Sequence, residues 1–254
     1  MAIRVGVGGW TYEPWRGVFY PGGLPHKDEL AYAAKHLTSI EINGTYYRNQ
    51  SPETFAKWRD ETPDDFVFSV KAPRYIMGRK VLAEAGESIE KFATGAVKEL
   101  GPKLGPINWQ FEHNKFEPED FEAFLKYLPT DMRHAIEVRN KSFKCLEFVE
   151  LAKKYNVAIV VSGDSSYPLI PDITADFSYL RIMGTQEASN GYPTEELDRW
   201  AERAKTLASG EMPSDLPAVS LGAAAKGERD VFLYVISGFK QSNPAMATEL
   251  IGRI

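Results

Sequence analysis

The sequence predicts an α/β fold, a single irregular (β/α) barrel over residues 1–254, and three observations carry that reading. Eight strand-like segments alternate with helical ones, which is the pattern of a parallel sheet with helices packed outside it. Six of the strands put polar side chains on one face and apolar ones on the other, each near the strand's end. The length, 254 residues, suits one such barrel, and no repeat, low-complexity tract or linker divides the chain.

Taken in order, the strands fall near 3–8, 38–43, 66–71, 107–111, 134–139, 157–162, 177–183 and 230–236. Helical patterns lie near 27–36, 52–60, 87–99, 118–128, 145–155, 194–208 and 244–253. Ser51-Pro52-Glu53 puts a serine at a helix cap and a proline at the first helical position. Pro193-Thr194-Glu195-Glu196 reads as a Thr cap with acids in the first turn, and Glu117-Pro118-Glu119-Asp120 is a similar acidic start. Only about a dozen residues, Pro168 and Pro171 among them, separate strands six and seven, so helix six is expected to shrink to a loop or short turn. The segment from Ser209 to Arg229, rich in Gly, Pro, Ala and Ser, precedes strand eight and belongs at the N-terminal end of the barrel. Residues 9–26 and 72–86 are long loops after strands one and three, at the end where barrel sites are built.

Alternation sets which side chains converge. Glu41 and Asn43 share a face, as do Ser69 and Lys71, Asn108 and Gln110, Glu137 and Arg139, and Ser162 and Asp164. With Arg181 they form a polar pocket at the C-terminal ends of the strands. The net charge of −5 and pI near 5.5 argue against a dedicated nucleic-acid binder, though a local basic patch remains compatible with them. A single cysteine, Cys145, excludes an internal disulfide and a multi-cysteine zinc site, and fits a reduced, cytoplasmic protein. Met1 to Val5 enter a strand pattern at once, with no signal peptide, and no apolar run is long enough to span a membrane.

The opening Gly6-Val7-Gly8-Gly9-Trp10-Thr11-Tyr12, then Trp15 and Phe19-Tyr20-Pro21, resembles the DUF72 (YecE-like) family. So do Glu41 to Arg48, Ser51 to Phe55, Trp58, Phe66 to Pro73, Leu104-Gly105-Pro106, Gln110-Phe111, Glu137-Val138-Arg139 and Arg181-Ile182-Met183-Gly184. The resemblance runs in order over nearly the whole chain. It implies a TIM-like (β/α) barrel and assigns no activity, the family being named for lacking one. The chain departs from the family pattern at Glu112, where a proline usually follows Gln-Phe, and at Tyr75-Ile76-Met77-Gly78, where a Thr-His pair is usual. It also departs at Met183, which stands for a histidine, and at Ser237-Gly238-Phe239, where paired asparagines are usual.

The candidate chemistry is a carboxylate acid/base with a cationic clamp, as in a hydrolase or lyase. Glu137 or Asp164 would move a proton, and Arg139, Arg181 and Lys71 would hold an anion. The competing reading makes the same groups an ion-pair layer that fills the barrel. Lys71 could form a Schiff base if neighbouring cations or desolvation lowered its pKa. It could also bind phosphate or carboxylate as a point charge, which the sequence favours because nothing in it marks an apolar pocket. Trp10, Tyr12, Trp15, Tyr46 and Tyr47 could make a stacking wall or close one end of the barrel. His26, His36, His113 and His134 fit no metal-ligand spacing, and no cofactor is expected; an oxygen-ligand site from Glu41, Glu137 and Asp164 is the open alternative. The expected partner is therefore a small polar or anionic ligand. Nucleic acid, meeting Arg74, Arg79 and Lys80, is the disfavoured second possibility, and a pseudo-enzyme with a structural polar interior the third. Oligomeric state is left open.

Overall fold

Eight strands pair in parallel in sequence order: β1 (Ile3–Gly8), β2 (Ser39–Ile42), β3 (Val67–Lys71), β4 (Leu104–Phe111), β5 (His134–Val138), β6 (Ala158–Gly163), β7 (Phe177–Ile182) and β8 (Asp230–Val235). β8 pairs with β1 and closes the barrel. The structure is a computed structural model and describes residues 1–184, 191–220, 227–236 and 238–254.

The alternation read from the sequence sets the two layers. Val5, Val7, Ile40, Ile42, Phe68, Val70, Leu180, Ile182, Leu233 and Val235 face the helices and are buried there. Each such side chain contributes about 1.5–3 kcal/mol by leaving water. Inside the barrel the lower end is apolar, with Ala135, Ala158, Val160, Phe177 and Phe232 packed together. Above them Tyr234 hydrogen-bonds the hydroxyls of Ser39 (2.7 Å) and Ser69 (2.6 Å), and the charged groups lie beyond.

The helical elements are α1 (Glu29–His36), α2 (Gly44–Tyr47), α3 (Pro52–Asp60), α4 (Arg74–Met77), α5 (Gly86–Ala93), α6 (Pro118–Lys126), α7 (Leu146–Lys154), α8 (Thr194–Ala208) and α9 (Asn243–Ile251). Ser51 caps α3, its hydroxyl accepting the Thr54 N–H at 3.3 Å, and Pro52 opens the helix. Thr194 differs from expectation: it is the first helical residue, and Pro193 is the cap, its carbonyl accepting from Glu196 and Leu197. The helix expected over 87–99 is broken. α5 ends at Ala93, because Gly95 takes a non-helical conformation and a 3₁₀ turn follows from Ala96.

No helix joins β6 to β7. The crossover is a largely buried loop whose polar groups need partners of their own. Thr174 supplies two, accepting from the Ile159 N–H and donating to the Val157 carbonyl. The Asp172 carboxylate accepts the N–H groups of Val219 and Ser220, tying the loop to the segment before β8. Residues 221–226 of that segment, and Ser237 in the loop after β8, lie outside the described residues.

Candidate functional site

Strand register brings the inward polar residues into one network. Gln110 on β4 lies opposite Glu137 on β5, Ser162 on β6 opposite Arg181 on β7, and Lys71 on β3 opposite Asn108 on β4. Glu137 is fully buried and saturated. One oxygen accepts from Arg181 (2.7 Å) and Asn108 (3.1 Å), the other from Gln110 (2.6 Å), with Arg139 at 3.6 Å. Glu41, also fully buried, accepts from Arg181 (3.1 Å), Tyr179 (2.7 Å) and Asn108 (3.2 Å). Arg181 thus bridges the two interior carboxylates. Burial pushes the Glu137 carboxyl upward, but Arg181, Lys71 and Arg139 outweigh it and hold the group at about 2.

Lys71 is placed differently. It is 7% exposed, donates to Gln110 Oε1 at 2.9 Å and lies 4.2 Å above the Tyr46 ring. Among the described residues no carboxylate pairs directly with it. Burial, then the like charge of Arg181, lowers the lysine to about 8; Glu137 and Glu41 only partly oppose this. Arg139, half-buried, sits 3.4 Å from Glu112 and 4.5 Å above the Tyr167 ring. Arg139 follows the last residue of β5, yet its N–H still donates to the Phe111 carbonyl, so it keeps the strand's inward phase.

Asp164 does not join them. β6 ends at Gly163, and Asp164 adopts a left-handed conformation with φ of 51°, so alternation no longer governs its direction. Its exposed carboxylate instead accepts the Trp200 indole N–H at 2.8 Å, on α8 outside the barrel. The three-carboxylate oxygen site is therefore not assembled, and the two interior carboxylates already hold a guanidinium. No group of three or more His, Cys, Asp and Glu suited to a metal occurs among the described residues. Asn43, past the end of β2, begins the turn into α2, and its Nδ2 packs on Gly8, where a Cβ would come within 2.5 Å. The aromatic wall divides as well. Trp10 packs on Trp58 and Phe68 in the outer layer, Tyr12 on Trp15 with Lys240 above it, while Tyr46 alone reaches Lys71.

A cavity of about 670 Å³ opens beside the network, between the loops after β3 and β4. Tyr46, Gln110 and Glu112 form its inner wall, and Arg74, Arg79, Lys80 and Lys115 stand around it. Of its three acids, Glu112 faces Arg139, Asp120 accepts the N–H groups of Leu82 and Ala83, and Glu117 is exposed at the cap of α6. Sequence reasoning pointed to the loop after β3 but missed the one after β4. It noted Glu112 only as a departure from a family pattern. Tyr179 was legible, being two residues before Arg181 on the same strand.

With the fold and the network in view, comparison with known proteins places the chain. The profile described as "Protein of unknown function DUF72" matches residues 4–253. The chain belongs to the DUF72 family. Among curated relatives, UPF0759 protein YecE of Escherichia coli K12 is 29% identical over 144 residues, 56% of this chain and 50% of that protein. UPF0759 protein YunF of Bacillus subtilis is 26% identical over 156 residues, 58% of this chain and 54% of that one. The aligned segments thus span about half the length of the curated relatives. A crystal structure of a DUF72 family protein from Thermotoga maritima superposes with a TM-score of 0.76 at 23% identity, covering 99% of this chain and 98% of that chain. One from Enterococcus faecalis gives 0.71 at 17%, covering 99% and 94%. These likenesses establish the fold and carry no activity with them. No helix among the described residues is long and apolar enough to cross a membrane.

Proposed function

We propose that this DUF72 barrel binds a small anionic metabolite at the mouth and acts on it without a metal, in the cytoplasm. The observation that carries the reading is Lys71, a buried ammonium with three N–H donors and, among the described residues, one side-chain acceptor and no paired carboxylate. A phosphate or carboxylate would give Lys71 a direct anionic partner, with Arg139 as second donor, its Nε buried and unpartnered. Glu137 has a supporting part in this reading. Held at about 2 and with both oxygens occupied, it is a weak base near neutrality and serves to position Arg181 and Arg139. Lys71, at about 8, is the interior group able to change protonation near neutral pH.

Calorimetric titration with inorganic phosphate tests this. Lys71→Met and Arg139→Gln should each weaken binding by roughly tenfold to a hundredfold, the worth of a charge-assisted hydrogen bond. Unchanged affinity in both variants would overturn the reading. A nucleic-acid reading draws on Tyr47 and Tyr75, exposed at 71% and 49%, beside Arg74 at the cavity rim. It requires binding of single-stranded or duplex DNA that weakens steeply with salt.

A further inference from the structure

We infer that Lys71 is a covalent nucleophile that forms an imine with a small carbonyl compound bearing a carboxylate or phosphate, admitted through the cavity between the β3 and β4 loops. The inference rests on the anion-binding reading above and deepens it. Three features of the geometry support it. Lys71 is the last residue of β3, with its ammonium at the barrel mouth. Tyr46 and Gln110, which contact that ammonium, are walls of the cavity, so one side-chain layer separates the nitrogen from the space a ligand would fill. The cavity, about 670 Å³, falls in the range of small-molecule sites, and its basic rim suits an anionic substituent.

Electrostatics agrees with the geometry. A carboxylate paired with Lys71 would fix it as an ammonium; here the interior acid Glu137 is linked to it through Gln110. A lysine at about 8 is roughly one-tenth unprotonated at pH 7, against a few parts in ten thousand at the ordinary value. The step balances without a redox partner. The neutral amine attacks the carbonyl carbon, forming the C–N bond, and the π pair moves to oxygen, which takes a proton. The resulting carbinolamine loses the nitrogen proton and its hydroxyl leaves as water. Glu112, which lines the cavity wall with Tyr46, is the carboxylate placed to carry that proton.

The test is reductive trapping on the intact protein. Wild type is incubated with pyruvate, with glycolaldehyde phosphate or with acetone, each with borohydride, and the adducts are mapped by peptide mass spectrometry. The expected result is one dominant adduct at Lys71 with at least one anionic carbonyl compound, at least tenfold above that with acetone; which compound labels better separates carboxylate from phosphate. Labelling spread over exposed lysines such as Lys80, with none dominant at Lys71, overturns the inference. Lys71→Arg keeps a cation and removes the nucleophile, so it should lose the adduct at position 71. If wild type binds phosphate through Lys71 and Arg139 but is never trapped, the imine falls and anion binding stands. If phosphate binding is unaffected by both Lys71→Met and Arg139→Gln, the underlying reading falls as well.

Discussion

At the scale of single residues, Lys71 and Glu137 show how burial acts in opposite directions on function and stability. The folded-state value of Lys71 lies below that of the unfolded chain, about 8 against 10.5. Between those values the unfolded chain binds more protons, so stability is lowest below pH 8 and rises toward pH 10.5. Lys71→Met removes the desolvated charge. It should raise the melting temperature at pH 7 and flatten that alkaline rise, while weakening anion binding. A melting temperature that falls would show that the contact with Gln110 outweighs the burial cost. Glu137 behaves in the opposite sense. Glu137→Gln would set an amide N–H₂ against donors on Arg181, Asn108 or Gln110 and leave Arg181 with Glu41 alone. A loss of about 3–5 kcal/mol in urea denaturation is expected, the cost of breaking a buried ion pair. Shape is matched by that substitution; donor and acceptor roles are not.

At the scale of elements, β6 and α8 are joined at one close contact. A Cβ at Gly163 would lie 2.3 Å from Trp200 Cζ2, and the same indole donates to Asp164. Gly163→Ala should therefore destabilise by about 1–3 kcal/mol through overpacking, read as a lowered urea midpoint. Far-UV circular dichroism should stay unchanged if α8 shifts without unfolding. This contact also explains a misplacement. From the sequence Asp164 continues the alternation of Ser162, because period-two reasoning has no means of knowing where a strand stops. Arg139 stands equally one residue past its strand and stays in phase, because its N–H remains bonded to β4. The two positions look alike in the sequence, and only the packing of α8 on Gly163 separates them.

For the whole molecule, charge is balanced in a way the sequence half anticipated. The ion-pair reading of the sequence set Glu137 and Asp164 against Lys71, Arg139 and Arg181. Asp164 is turned outward, and Glu112 takes its place by pairing with Arg139. Acid stability should reflect two buried groups. His134 accepts the Trp109 indole N–H at Nδ1 (3.1 Å) and its Nε2 lies 2.8 Å from the Pro129 carbonyl; burial lowers it from 6.5 to about 4. The unfolded chain takes that proton first, so stability complete above pH 6.5 is lost as pH falls through 4, by on the order of 3 kcal/mol. Glu137, held at about 2, adds a second loss from pH 4.5 downward. Urea midpoints measured against pH should fall through both windows, and His134→Gln should flatten the upper one.

The sequence by itself determined the barrel, the loop in place of helix six, and the inward face of six strands. Alternation is a local property of extended backbone, and apolar outer faces leave the polar ones nowhere else to point. It also determined that Glu41, Lys71, Gln110, Glu137, Arg139 and Arg181 would converge. Tertiary structure alone decided the rest: that Lys71 has no carboxylate partner, that Glu137 is saturated, that Glu112 replaces Asp164, and that the cavity lies between the β3 and β4 loops. Those outcomes depend on distances between strands and on where loops turn, which are set by packing across the whole barrel. Desolvation, which lowers Lys71, is likewise a property of everything around a residue, and no stretch of neighbouring sequence encodes it.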